Sequence, residues 1–239
     1  MAASPRGDES ALEACDEAAI ATAGSLAAAE DAEVVAATVG PPAAEPALRR
    51  ALAKGPDRAV RVWDDRLDEV ALRDPQTKAR LLAGVAADVD PDLVVTGTRS
   101  AAEGFGATGV TLAAQLGYGW ATSVTDLTLD RAAGVVAVRR TLGGRLTELV
   151  DVELPAVLTI PPGATEPQHA GLGAVLAAHR ATIDVYSLAD LGCSPADVES
   201  PLSRTDRTER DGDATIFEGA PEETAAKLAA VLRANGVRP

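Results

Sequence analysis

Lysine is nearly absent from this chain: Lys54, Lys78 and Lys227 are the only three in 239 residues, and arginine supplies the remaining positive charge. Set against 36 acidic residues, the 22 basic ones leave a formal charge of −14. A surface of that sign repels phosphate backbones, which argues against nucleic acid as a partner. Cysteine is limited to Cys15 and Cys193, far apart and in no C-x-x-C pair, so a disulfide framework is not the basis of the fold. Cys15 sits on a helical pattern and reads as packing. His169 and His179 have no neighbouring ligands at metal spacing and read as surface or loop residues. Aromatic residues make up only 3% of the chain; Trp63 and Trp120 follow strand patterns and read as core or interface.

Other absences narrow the function. No apolar run approaches the roughly 20 residues that cross a bilayer as a helix. The opening MAASPRGDESALEACDEAA is acidic and alternating rather than charged and then apolar, so it does not read as a signal segment. A soluble, cytoplasmic protein with no membrane insertion is expected. There is no G-x-x-x-x-G-K-[ST] loop and no Ser/His/Asp or paired-carboxylate constellation. That disfavours a kinase or hydrolase and points to a chain without catalytic side chains of its own.

What is present is apolar and regular. Residues of the apolar classes make up 46% of the sequence, enough to bury a sizeable core in one domain, or in one domain with an arm. The acid-rich, Lys-poor, Ala/Val-rich usage has two readings. A dense carboxylate surface stays hydrated in a high-salt, halophilic cytoplasm; a GC-rich genome with ordinary salt produces similar usage.

Ser10 to Glu30 has apolar residues at helical spacing, and Glu33 to Val39 is a buried strand ending at Gly40-Pro41-Pro42. Glu45 to Lys54 is a second helix, stopped by Gly55-Pro56. A strand from Arg58 to Trp63, a helix from Pro75 to Ala87, a strand from Asp92 to Thr96 and a helix from Gly106 to Leu116 follow. This alternation predicts an α/β fold with an open, mostly parallel sheet and helices on both faces. The pattern then changes. Ala121 to Leu129, Val135 to Thr141 and Leu146 to Val152 alternate apolar and polar residues, punctuated by Arg131–Gly134 and Gly143-Gly144. They predict an antiparallel extension. Ala156 to Ile160 returns as a buried strand. Beyond Pro161 periodicity weakens; Pro195 to Gly212 reads as an extended arm, its mixed-charge Thr205–Asp211 stretch a solvated one, and Glu222 to Asn235 as a C-terminal helix. Residues 1–192 are assigned to a nucleotide-binding-type α/β domain and 193–239 to the arm and helix. A doubly wound domain usually opens with a strand and this chain opens with a helix, so the sheet is expected to lack its first strand or to receive it from another element.

The densest signal runs from Asp90 to Thr159. The apolar Leu93-Val94-Val95 stops at Gly97, a loop carries Gly104 and Gly106, and the chain restarts at Gly109 as the amphipathic GVTLAAQLG. Strand, glycine-rich loop and helix start form the place where open α/β sheets hold nucleotides, because free N–H groups at the helix start face phosphate. A sheet-edge loop that needs glycine only for positive φ is the structural alternative. Further on, Val138, Arg140, Gly144, Glu148, Val150, Pro155, Val157, Leu158 and Thr159 keep a joint spacing, and Thr165-Glu166-Pro167-Gln168-His169-Ala170-Gly171-Leu172 follows.

Together these stretches resemble the electron transfer flavoprotein beta subunit, from about Ser10 to Asp197. The resemblance implies an adenine-nucleotide-hydrolase-like fold. It implies an electron-carrier subunit that pairs with an alpha subunit holding FAD and passes electrons from acyl-CoA-type dehydrogenases, as in fatty acid oxidation, to a membrane quinone reductase. In that family the loop corresponding to Gly97–Gly109 wraps around AMP. The resemblance therefore places cofactor-binding residues at Val39, Gly97, Thr98, Glu103, Gly106, Thr108 and Gly109. Ala107 stands where a glutamine is usual and Ala102 where an aspartate is usual, which removes hydrogen-bond partners from the AMP. Gly143 and Arg145 also depart from the family's acidic-Gly-Gly turn. Glu166, Pro167 and Leu172 match the family's partner-docking loop, with Leu172 as the leucine that anchors in the dehydrogenase; the loop's Asn, Arg and Tyr are not kept. A reading from another class is a nucleotide-binding or structural module that has lost electron transfer.

Overall fold

The computed structural model describes residues 12–67, 71–101, 103–144, 146–167, 169–199 and 215–237. The chain divides into two compact units, Met1–Arg204 and Thr205–Pro239. Of the sequence readings, those on Ala102, Arg145, Gln168 and the charged stretch Thr205–Asp211 fall outside the described residues. The described part of the second unit carries one helix, Pro221–Ala234, with Pro221 in its first turn and the acidic Glu222 and Glu223 beside it, where the helix dipole favours negative charge.

In the first unit, α1 (Ala14–Glu30), β1 (Val35–Val39), α2 (Glu45–Leu52), β2 (Arg58–Val62), α3 (Pro75–Val89), β3 (Leu93–Gly97) and α4 (Thr108–Leu116) alternate as the sequence predicts. The chain continues as β4 (Gly119–Ala121), β5 (Val124–Asp130), β6 (Val135–Gly143), β7 (Leu146–Glu153), β8 (Ala156–Ile160), α5 (Leu172–Arg180) and β9 (Asp184–Tyr186). The α/β class and the antiparallel extension stand. The parallel strands fall into two three-stranded sheets, ordered β1-β2-β9 and β3-β8-β4, and β5-β6-β7 form the antiparallel sheet. Strand β9 escapes the sequence reading because three residues, of which Val185 is exposed, carry no alternation to detect.

Side-chain alternation sets the layers. A Cβ on Gly97 would sit against Cys15 of α1, while Thr96 meets the position a Cβ on Gly109 of α4 would take. Adjacent residues of a strand point to opposite faces, so α1 and α4 cover opposite sides of the β3-β8-β4 sheet. One apolar core joins Ala18 and Ala19 of α1 to Ala156, Leu158 and Ile160 of β8 and to Val136, Val138 and Val152 of the antiparallel sheet. A second joins Val39, Val60 and Val62 to Leu81 and Val85 of α3 and to Leu188.

The predicted Ala121–Leu129 strand is in fact two. Ser123 takes a positive φ of 56° and turns the chain from β4 in the parallel sheet to β5 in the antiparallel one. Buried Thr159 holds this corner: its Oγ1 accepts a hydrogen bond from the Ser123 N–H at 3.1 Å. Arg140 and Glu148 face one another across β6 and β7, with Nε donating to Oε2 at 2.6 Å, and Val138 faces Val150 in the same register. The spaced residues of the sequence motif are thus cross-strand partners.

Replacing Thr159 by the isosteric valine leaves the Ser123 N–H without its acceptor. Thr159→Val should cost about 1–3 kcal/mol of unfolding free energy by urea titration, and an unchanged midpoint would show that the corner does not depend on this bond.

Candidate functional site

The C-terminal end of β3 opens into the loop Thr98–Ala107, and α4 begins at Thr108. Its N-cap, Ala107, offers no side-chain cap, so the first N–H groups of α4 have no side-chain acceptor from that position. Gly106 takes φ of 62°, the left-handed conformation that L side chains avoid. The loop is tied to itself: Ser100 Oγ lies 2.7 Å from Glu103 Oε2, and the Gly104 N–H donates to the Ser100 carbonyl at 3.1 Å.

A cavity of about 280 Å³ lies beside this loop. Val39, Gly97, Thr98, Glu103, Gly106 and Thr108 all line it, so six of the seven nucleotide-site residues read from the sequence come together. Gly109 lies one residue deeper in α4, where a Cβ would stand 2.7 Å from Thr159 Cγ2 and 2.8 Å from Thr96 Oγ1. Its glycine lets the helix approach the sheet. The Thr98 hydroxyl is buried in the cavity wall with no hydrogen-bond partner among the described residues.

Sequence reasoning missed the charged side chains that share the cavity. Asp16, Arg73 and Lys78 line it, from α1, the turn before α3, and α3. Asp16 is pushed above the ordinary carboxylate value of 3.8 by burial, and nearby Glu13 adds to the effect while Lys78 opposes it. Lys78 Nζ lies 4.0 Å from Glu103 Oε2. A carboxylate oxygen of Glu13, Oε2, also accepts from the Ala101 N–H, tying the start of α1 to the loop. No local signal singles out Asp16 among the acids near the chain's start; the packing of α1 against Gly97 selects it. A Cβ on Gly97 would come within 2.8 Å of Cys15 Cβ and 2.9 Å of Asp16 Oδ1.

The docking-loop residues lie elsewhere. Glu166 is exposed, and Pro167 borders a separate cleft along α1 with Glu17 and Lys54. Thr165 Oγ1 lies 2.8 Å from Thr22 Oγ1 of α1, which anchors that loop. Leu172, the first residue of α5, is 76% exposed. His169 and His179 are exposed and Cys15 is buried, as read from the sequence. Trp63 packs against the second core, while Trp120 is exposed.

Because the folded protein holds the Asp16 proton more tightly than the unfolded chain does, the contribution of this group to stability is fully present below the ordinary aspartate value and is lost as pH rises through the raised one. Asp16→Asn should abolish that part of the pH dependence and raise stability at neutral pH, read from thermal unfolding between pH 3 and 8. A pH profile identical to that of the parent would contradict the burial of this carboxyl. Gly97→Ala should destabilise the fold by about 1–3 kcal/mol, measured by chemical denaturation; a neutral result would mean α1 stands further from β3.

Residues 3–191 match the family model described as the electron transfer flavoprotein domain. The chain is 37% identical over 206 residues to an electron transfer flavoprotein subunit beta of Methylophilus methylotrophus, covering 84% of this chain and 77% of the relative. It is 31% identical over 204 residues to the Sus scrofa subunit beta, covering 85% and 76%. The mitochondrial subunit beta of Arabidopsis thaliana is 31% identical over 177 residues, covering 74% and 67%. The chain belongs to the electron transfer flavoprotein family, on its beta-subunit side.

Proposed function

We infer that this electron transfer flavoprotein subunit is the half of a heterodimer that pairs with an FAD-holding alpha subunit and presents the docking loop for acyl-CoA-type dehydrogenases, with a membrane quinone reductase as the electron acceptor. The observation that carries this reading is the match to the family across residues 3–191. No helix among the described residues is long and apolar enough to cross a membrane.

FAD supplies the redox chemistry when bound, and the protein supplies position and electrostatics. Residues 1–192 act as the nucleotide-binding-type domain, and residues 193–239 as the arm toward the alpha subunit. A second nucleotide, AMP, belongs at the mouth of the cavity after β3. Two features fit it. The start of α4 lacks a side-chain cap, and the unpartnered Thr98 hydroxyl calls for a hydrogen-bonding group. Glu103 is engaged by Ser100 and faces Lys78, and Arg73 lines the same wall, so the cavity is less repulsive to phosphate than the chain's formal charge suggests. Thr98 and Thr108 would bond the nucleotide and Gly106 would let the backbone approach it. Val39 and Gly97 would shape the floor, and Gly109 would hold α4 against the sheet.

Leu172 carries the docking half of the proposal. A large apolar side chain standing 76% exposed at a helix start suits insertion into an apolar pocket of a partner. A cytoplasmic setting, and a high-salt one for a surface of formal charge −14, complete the reading.

Co-expression with an alpha-type subunit should give a yellow heterodimer that releases FAD on denaturation, with AMP beside it. A colourless chain that binds no partner would favour the module that has lost electron transfer. In the heterodimer, Leu172→Ala should slow reduction by the dehydrogenase roughly tenfold, about 1.4 kcal/mol, at unchanged flavin content. Lost flavin with intact coupling would reassign the loop to a structural role.

A further inference from the structure

Helix α5, which carries the exposed Leu172 at its start, gains little from apolar burial. Ala178 is its one buried residue, Val175 is half-buried and the rest are exposed. Its N-cap, Gly171, offers no side chain to cap the first turn. The helix packs on α2, and one side chain of α2 joins the two. Arg49 donates from Nη1 to the carbonyls of Ala178 at 2.8 Å, His179 at 3.0 Å and Ala181 at 3.1 Å. The Ala181 N–H donates to the Ala177 carbonyl and closes the helical ladder of α5. The carbonyls of Ala178 and His179 lie past that bond, among those a helix leaves without an internal partner. They also form the negative end of the helix dipole, which a guanidinium complements.

Arg49 is itself fixed. Its Nε and Nη2 both donate to Glu45 Oε1, at 3.0 and 2.7 Å. Glu45 is the first residue of α2, four positions before Arg49. The planar fork is thus held along one edge by Glu45, and the remaining nitrogen faces the last turn of α5. The platform beneath is firm, because Ala47, Leu48 and Ala51 are buried and α2 lies on β1 and β2. The neighbouring Arg50 is exposed, so packing selects one arginine of the pair.

We propose that Arg49 is the positioning residue of the docking helix: through the last turn of α5 it sets where Leu172 stands, and Glu45 orients it. This rests on the reading of Leu172 as the docking anchor. The lever is short and stiff. Six residues separate Leu172 from Ala178, about 9 Å of helix at 1.5 Å per residue, with no fully buried side chain between them. A rotation at the last turn is therefore carried along the helix to the leucine. Holding α5 in place before a partner arrives also removes an ordering cost from the encounter.

The test uses the heterodimer with an alpha-type subunit, an acyl-CoA dehydrogenase as electron donor, and four forms: the parent, Arg49→Met, Leu172→Ala and the two substitutions together. Methionine keeps much of the arginine stem and donates no hydrogen bond. Arg49→Met should raise the KM of the dehydrogenase for the heterodimer about fivefold, with kcat and flavin content unchanged. On the Leu172→Ala background the same substitution should change KM by less than about twofold, because an absent anchor cannot be misplaced. Arg49→Lys keeps the charge without the fork and should fall between parent and Arg49→Met. Amide hydrogen exchange in α5 should quicken about tenfold in Arg49→Met while β8 stays protected.

Effects that multiply in the double variant overturn the proposal. So does an unchanged KM in Arg49→Met beside slowed reduction in Leu172→Ala, and both results leave the docking reading intact. Unchanged exchange in α5, or equal quickening in β8, overturns the clamp itself. A Leu172→Ala heterodimer reduced as fast as the parent overturns the docking reading and the positioning role together; quickened exchange in α5 would then leave Arg49 as a helix cap alone.

Discussion

Strand β8 is the constraint on which the rest of this structure depends. Its five residues are buried without exception, and they are bonded to β3 on one side and β4 on the other. Its side chains serve both faces. Ala156, Leu158 and Ile160 pack under α1 and against the antiparallel sheet, while Thr159 meets α4 and accepts from Ser123. A single pentapeptide therefore fixes the height of two helices, the corner between two sheets, and the register that brings β3 to its glycine. Thr159 shows why a polar residue belongs in an otherwise apolar strand: the backbone turn beside it has an N–H that the sheet does not satisfy.

The cavity after β3 follows from that register. Gly97 ends the strand where α1 leaves no room for a side chain, and Gly106 lets the loop turn into α4. Close approach of the helix brings the Asp16 carboxyl into the cavity wall beside Lys78 and Glu103. The loop therefore has its own balance of charge, set by burial as well as by composition. A surface of formal charge −14 would otherwise make any phosphate site improbable. The helix start and the arginine and lysine in the wall together offset that field locally.

Much of this was legible in advance. The alternation of helices and apolar strands, the antiparallel extension and the clustering of Val39, Gly97, Thr98, Glu103, Gly106 and Thr108 follow from periodicity and from the family's spacing. Each depends on local pattern or on residues already grouped in the chain. The misses are equally physical. The break at Ser123 was hidden because a non-glycine residue at positive φ carries no composition signal. Strand β9 was too short to show a period. Asp16 and Lys78, far apart in sequence and drawn from two helices, meet only across the cavity.

The sequence by itself determined the class of fold, the place of the glycine-rich loop and the family, because these rest on hydrophobic period, turn chemistry and residue spacing along one stretch of chain. Only the tertiary structure decided that the parallel strands of the described residues form two three-stranded sheets, that Gly109 is small for the sake of Thr159 and Thr96, and that burial raises the pKa of one acid among many. Each of these depends on which backbone or side chain arrives from elsewhere. A pattern within a strand records which of its faces are apolar and does not record whether its hydrogen-bonding edge has a neighbour.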